Sequence, residues 1–246
     1  YIFSELTNEY DKRYGIDQMH LSRIAEINFS NAKKNPNAQT RNWSFTENSF
    51  KNHDKENPVI EGNTRKMDCG QITDGAAIIF LASDKRAKEY AKSRNIDIEK
   101  IPHIKGWGHK TGPISYQEKI EFSKDKDYIF PHVKETIEDA FRRANFSDVN
   151  DLDGIETHDC FTSTEYMAID HFGITKAGES WKAIELGEIE IGGRIPINPS
   201  GGLLGLGHPV GATGVRMLLD TYKQCSGTAG DYQVEGANNF ATLNIG

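Results

Sequence analysis

The sequence predicts an α/β fold, in which buried strands alternate with amphipathic helices from about residue 67 onward. Residues 76–82 form an apolar run with the composition of a strand that is buried on both faces. Residues 131–145 place apolar side chains at helical spacing. A second helical pattern, over residues 215–222, follows a glycine-rich loop.

The first 66 residues are polar and rich in asparagine. Apolar residues spaced among charged ones predict a helix over residues 17–34. Residues 35–43 show no periodicity, so we expect them to form a surface excursion or cap and not a part of the core.

From Met67 the chain becomes more apolar. After the strand at residues 76–82, Asp84 is the expected cap of a helix. Residues 101–106 then predict another strand, before the helix at 131–145.

The later elements surround the motifs discussed below. Residues 153–158 predict a strand, and Thr162 with Glu165 three positions on forms a capping box that would open a helix. The helix at 215–222 is followed by a last predicted strand at 240–245.

Composition excludes several classes of protein. The 246 residues carry a net charge of -7, which argues against a general nucleic-acid-binding protein. Cys69, Cys160 and Cys225 form no C-x-x-C pair, so neither a disulfide framework nor a thiolate metal site is predicted, and a reducing cytoplasmic location is favoured. No apolar run approaches the roughly 20 residues that span a membrane. Because the chain begins at Tyr1 without a methionine, we expect a fragment of a longer protein.

The glycine-rich loop at residues 201–214 is the first candidate site, and it contains His208. Glycine lacks a Cβ, so this backbone can approach a ligand closely. The spacing G-x-G-x-x-x-G differs from a dinucleotide fingerprint, and no Gly-Lys-Ser/Thr closes a phosphate loop. An irregular connection with a surface imidazole is the alternative, but so much glycine is costly to order without a requirement for it.

The second candidate is the sequence H-D-C-F at residues 158–161, which follows a predicted strand. In extended chain His158 and Cys160 share a face, and Asp159 points to the other. Ligands of open α/β sheets bind at the carboxyl ends of strands. A small buried cysteine beside a hydrogen-bonded histidine is an equally good structural interpretation. A metal site is ranked last, because no repeat spacing gathers three or four ligands.

A third signal surrounds Cys69, just before the strand at 76–82. Gly70 and Gly75 are explained as turn residues. Since no base accompanies Cys69, we favour a structural role for this cysteine.

The pattern G-G-L-x-x-x-G-H-P-x-G-A-T-G resembles the active-site histidine loop of the thiolases. H-D-C-F resembles the corresponding loop of the sterol-carrier-protein-type thiolases, and D-G-A-A at 74–77 resembles the entry to the last strand of the family's first half. The resemblance implies a thiolase-like layered α-β-α-β-α fold. Residues 1–66 would be part of the inserted loop (cap) domain, 67–83 the last strand region of the N-terminal half, and 84–246 the C-terminal domain without its final strand.

The resemblance also implies catalytic roles. His208 would deprotonate the nucleophile, and with His158 it would donate hydrogen bonds to the thioester oxygen. Cys160, with a modestly lowered thiol pKa, would carry the α-proton. The backbone N–H of Gly246 would belong to a second oxyanion hole.

Substrates and partners follow from the same resemblance. The pantetheine arm would pass near Gly70 and Phe161. Coenzyme A and its acyl thioesters would be substrates and not permanently bound cofactors, and the protein would be a homodimer or homotetramer with no nucleic acid and no membrane span.

Two departures from the family pattern matter. The family's nucleophilic cysteine lies ahead of the loop domain, and no cysteine of this chain occupies its place, so we expect these 246 residues alone to be inactive. Asn244 stands where the late C-x-G motif has a thiol.

Three functions remain open at this point. We favour a thiolase-type acyl-CoA acyltransferase that carries out thiolysis of 3-ketoacyl-CoA or Claisen condensation of acetyl-CoA. A ketoacyl-synthase-like condensing enzyme and a catalytically inactive protein that binds coenzyme A or lipid are the alternatives.

Overall fold

A computed structural model describes residues 1–245. Within them the α-helices are α1 (Ile2–Tyr14), α2 (Gln18–Lys34), α3 (Asp84–Arg94), α4 (Tyr116–Ser123), α5 (Pro131–Ala144), α6 (Thr162–Phe172), α7 (Ser180–Glu185) and α8 (Thr213–Cys225). The strands are β1 (Val59–Glu61), β2 (Thr64–Arg65), β3 (Gly154–Thr157) and β4 (Phe240–Leu243). Every helix of this part of the chain is too short or too polar to cross a lipid bilayer.

The centre of the fold is a parallel pair of strands, β3 and β4, with Gly154 beside Phe240. On the other side of β3, Ile155 forms a parallel bridge with Ile197. Glu156 faces α8, where it meets Arg216, so Ile155 faces the opposite side. There it joins a core that includes residues of α2, α5 and α6. This arrangement of helices around parallel strands confirms the predicted α/β class.

The helices with the clearest apolar periodicity form as predicted. The helix expected over 17–34 is α2, in which Asp17 caps the N-terminus by accepting a hydrogen bond from Met19 N at 2.8 Å. The helix expected over 131–145 is α5, which begins at Pro131 and ends before Asn145 in the left-handed conformation. The strands predicted at 153–158 and 240–245 are β3 and β4.

Two predicted strands are wrong. Residues 76–82 and 101–106 form no regular secondary structure, and Phe80 is 95% exposed. A strand exists only where a neighbour satisfies its backbone N–H and C=O groups. No strand of residues 1–245 pairs with either segment.

Both predicted helix caps are also wrong, and at Thr162 and Glu165 tertiary partners take the side chains. Asp84 is the first residue of α3 and not its cap. Helix α6 begins after Phe161, and the hydroxyl of Thr162 donates to Asp68 Oδ1 at 2.9 Å. Glu165 accepts hydrogen bonds from asparagine side chains instead of reaching back to the helix start.

The predicted helix at 215–222 is part of α8, but its inner face is polar. Arg216, Asp220 and Gln224 are buried with Met217, whereas Tyr222 of the apolar stripe is 44% exposed. The apolar periodicity therefore predicted the helix correctly, but it did not predict which face of the helix packs on β3 and β4.

The N-terminal segment contributes more to the core than its polarity predicts. Helix α1 was not expected, yet Tyr10 is fully buried. Residues 35–43 are not simply a surface excursion, since Asn35 and Thr40 are also fully buried. Their side chains donate to Ser200 O at 3.0 Å and to Gly205 O at 2.6 Å. This segment therefore holds the glycine loop in place.

The glycines of that loop are needed for contact with the protein itself. A Cβ on Gly201 or Gly205 would lie 2.7 or 2.6 Å from Cβ of Ala32 in α2. A Cβ on Gly202 would collide with the carboxylate of Asp159. We expected the loop backbone to approach a ligand closely. At these positions it approaches α2 and Asp159 instead.

Gly205→Ala should lower the free energy of unfolding by about 1–3 kcal/mol, because the added methyl group overpacks the contact with Ala32. Gly211→Ala is the matched control, since nothing lies within 4 Å of a Cβ at that position. Denaturant unfolding of both variants measures the difference. Equal stabilities would show that the glycine loop does not pack closely on α2.

Candidate active site

The two motif loops meet, as the resemblance to the thiolases implies. The imidazole rings of His158 and His208 have centroids 5.2 Å apart and planes at 86°. His158 directly follows β3, and His208 precedes α8. Residues 50 positions apart in the chain are thus brought together at the carboxyl end of a central strand, where α/β folds bind ligands.

Asp159 ties the two loops together. Its carboxylate accepts hydrogen bonds from Leu203 N at 2.6 Å and Leu204 N at 3.2 Å in the glycine loop. Asn28 Nδ2 of α2 donates to it at 3.0 Å. The sequence placed Asp159 on the face away from His158 but gave it no partner, since the donors are distant in the chain.

Residues 69–73 form a strap across both loops. Gly70 N donates to Cys160 O at 2.8 Å, His208 N donates to Gln71 O at 3.0 Å, and Thr73 N donates to His208 O at 3.2 Å. A Cβ on Gly70 would lie 3.1 Å from Cys160 O. Glycine is therefore required here by the close approach of the two backbones, in addition to the turn that the sequence predicts. The strap fixes the two loops relative to each other by backbone hydrogen bonds.

Gly70 and Phe161, the residues expected along the pantetheine arm, are neighbours. Cys69 and Phe161 form an antiparallel bridge. The ring of Phe3 in α1 stacks on Phe161, with centroids 4.3 Å apart. No sequence pattern pointed to Phe3, because its partner lies in a distant loop.

Both histidines are held neutral near pH 7. Burial lowers the pKa of His158, despite a hydrogen bond with Asn244 that raises it. Burial also lowers the pKa of His208, with further lowering by His158 and Arg216. His208 Nδ1 lies 2.8 Å from Thr213 Oγ1. A neutral imidazole can serve as a base or as a hydrogen-bond donor.

The Cys160 thiol is buried against Leu203 and Met217. Burial, with the neighbouring charge of Asp159, raises its pKa to about 12. This is opposite to the modest lowering that we expected, and it makes Cys160 a neutral thiol. Burial raises the pKa of Cys69, to about 11, and that of Cys225 too.

Three carboxyl groups lie in the interior below the loops, namely Glu156, Asp159 and Glu165, each with no exposed surface. Arg216 meets Glu156 at 3.3 Å. Burial raises the pKa of all three, and that of Glu165 reaches about 8. Glu165 Oε2 accepts from Asn28 and Asn198, while its Oε1 has no partner in the described part of the chain.

No group of three or more His, Cys, Asp or Glu side chains in residues 1–245 is arranged to hold a metal ion. Gly246, the predicted oxyanion donor, lies outside the described residues, so its role stays a prediction.

Comparison with known proteins identifies the family. The profile described as "Thiolase C-terminal domain-like" matches residues 115–246, more than half of the chain. A solved structure titled "Ltp2-ChsH2(DUF35) aldolase" superposes with a TM-score of 0.76 at 21% identity, over 97% of this chain and 58% of that one. That likeness shows the thiolase-like layered fold.

Several relatives match along the whole chain, and two of them are described here. Acetyl-CoA acetyltransferase of Methanothermobacter thermautotrophicus is 31% identical, and this chain spans 59% of it. Sterol carrier protein 2 of Oryctolagus cuniculus is 30% identical, and this chain spans 42% of it. The chain belongs to the thiolase family, which confirms the resemblance seen in its motifs.

Glu165→Gln should make the free energy of unfolding less dependent on pH. Folded Glu165 keeps its proton up to about pH 8, whereas an unperturbed glutamate releases it near 4.5. The folded state therefore binds more protons between these values, and stability falls as pH rises through that window. Glutamine cannot ionise, so the variant should lose less stability than the wild type as the pH rises.

Denaturant unfolding at about pH 5 and about pH 8.5 measures this slope. Glu47→Gln, at an exposed position, is the control and should keep the wild-type slope. A wild-type slope in Glu165→Gln would mean that Glu165 is ionised in the folded protein.

Proposed function

We propose that this protein is a thiolase-type acyl-CoA acyltransferase, acting by thiolysis of 3-ketoacyl-CoA or by Claisen condensation of acetyl-CoA. The observation that carries the proposal is the meeting of His158 and His208, 5.2 Å apart, in loops with the H-D-C-F and G-H-P sequences. Both reactions need a neutral base and fixed hydrogen-bond donors for a developing negative charge.

His208 is the proposed base for the nucleophilic cysteine. Its Nδ1 contacts the hydroxyl of Thr213, and a hydroxyl can either donate or accept. His208 Nε2 is therefore able to accept a proton in one step and to donate a hydrogen bond to the thioester oxygen in another. The nucleophile itself would be the family's catalytic cysteine, whose place none of the three cysteines of these 246 residues occupies.

Cys160 is the proposed carrier of the α-proton. A thiol with a pKa of about 12 is protonated at neutral pH. Thiolysis releases an enolate of acetyl-CoA, which needs a proton donor, and a neutral thiol beside the site can supply that proton. The raised pKa thus fits the donor role in thiolysis better than a resting thiolate would.

The remaining assignments follow from the family. Gly70 and Phe161 would border the pantetheine arm, Gly246 would donate to the second oxyanion, and coenzyme A thioesters would be substrates with no permanent cofactor. Residues 1–66 would belong to the loop domain, 67–83 to the N-terminal half and 84–246 to the C-terminal domain. A cytoplasmic homodimer or homotetramer is the proposed assembly.

A catalytically inactive protein that binds coenzyme A or lipid is the second candidate. It is favoured by Asn244, an amide where the family's late motif has a thiol. The similarity to sterol carrier protein 2 is compatible with it.

His208→Ala in the full-length protein should lower the rate of acyl transfer by ~10²- to 10⁴-fold, since the base and one oxyanion donor are lost together. Steady-state kinetics with acetyl-CoA measures the effect. His103→Ala, at an exposed position outside the motifs, is the control and should stay within a few-fold of wild type. Comparable losses in both variants, or no transferase activity in the wild type, would contradict the proposal.

A further inference from the structure

The buried carboxylate of Asp68 binds three separate parts of the chain. Its Oδ2 accepts hydrogen bonds from Arg65 N at 2.8 Å and from Gln18 Nε2 of α2 at 3.1 Å. Its Oδ1 accepts from the hydroxyl of Thr162, the first residue of α6, at 2.9 Å. Asp68 therefore fixes the start of the strap relative to α2 and α6.

The strap in turn binds the two motif loops through consecutive residues. Gly70 N donates to Cys160 O at 2.8 Å, and the carbonyl of the next residue, Gln71, accepts from His208 N at 3.0 Å. The backbone positions of the proposed proton carrier and the proposed base are thus set by two neighbouring residues of one segment. Where that segment lies depends on Asp68, which directly precedes it.

The contact between Asp68 and Thr162 joins the strap to the H-D-C-F loop. Thr162 directly follows Phe161, and Cys69 directly follows Asp68. Cys69 and Phe161 form an antiparallel bridge, so the side-chain contact lies beside a backbone contact of the same two segments. Thr162 has no exposed surface, and a buried carboxylate oxygen that loses its donor is not readily satisfied by water.

We propose that Asp68 and Thr162 are positioning residues, which hold the strap so that Cys160 and His208 act together on one acyl group. The proposal rests on the proposed acyl-CoA function and refines it. In that function a proton moves between the acyl α-carbon and the sulfur of Cys160 while His208 donates to the thioester oxygen. Deprotonation of the nucleophile needs His208 without Cys160. Displacement of the strap should therefore slow the α-proton step more than the acylation step.

Thr162→Val in the full-length protein removes the hydroxyl and keeps the shape of the side chain. Exchange of the methyl protons of acetyl-CoA with deuterium, followed by ¹H NMR, should become ~10-fold slower, because reaction rates are sensitive to small displacements of the reacting groups. Acetylation of the nucleophile, followed by intact mass after rapid quenching, should stay within a few-fold of wild type. A general loss of structure would lower both rates alike.

Three further variants complete this experiment. Thr162→Ser keeps the hydroxyl and should restore the wild-type exchange rate. Thr221→Val is the matched control, since its buried hydroxyl donates to Leu218 O within α8, and both rates should be unchanged. Asp68→Asn keeps the shape of the side chain but loses the charge that strengthens its hydrogen bonds. It should show the same selective loss at a smaller magnitude, and it is the test variant if Thr162→Val does not fold.

Equal slowing of both rates, or a wild-type rate of methyl exchange in the folded variants, overturns the proposal. Amide hydrogen exchange at Gly70 and His208 needs no turnover, and it should become faster in Thr162→Val or Asp68→Asn than in the wild type. Wild-type protection at both amides also overturns the proposal. Faster amide exchange in a protein that acetyl-CoA does not acetylate would support the positioning and refute the proposed function.

Discussion

The site depends on one buried carboxylate, that of Asp159. It receives two backbone N–H groups of the glycine loop and one amide N–H of α2. Three donors satisfy a group that burial would otherwise keep protonated. Because Asp159 follows His158 directly, the same interaction that folds the glycine loop also sets the distance between the two histidines.

The surroundings of Asp159 explain why the loop is rich in glycine. Gly202 lies against the carboxylate, and Gly201 and Gly205 lie against Ala32, so side chains at these positions would push the loop away. The strap adds backbone hydrogen bonds to both loops. This arrangement also buries Glu165 near Asp159, which favours the protonated form of Glu165. The folded state is therefore less stable at high pH.

The sequence predicted what is local. Patterns within short windows of sequence identified the H-D-C-F and glycine motifs. Patterns of the same kind predicted helices α2 and α5 and strands β3 and β4. It failed where a distant partner decides the outcome. Thr162 bonds to Asp68 and not to its own helix, Thr40 is buried by the glycine loop, and residues 76–82 lack a neighbouring strand.

The central claim is that Asp159 holds the glycine loop, and amide hydrogen exchange at Leu203 and Leu204 tests it most directly. Asp159→Asn weakens the acceptor and turns an amide N–H toward those donors. Exchange at both amides should become at least ~10-fold faster than in the wild type, in line with a charged hydrogen bond of about 1.5–3 kcal/mol. Asp231→Asn, at an exposed position, should leave both rates unchanged. Wild-type protection at Leu203 and Leu204 in Asp159→Asn would contradict the account.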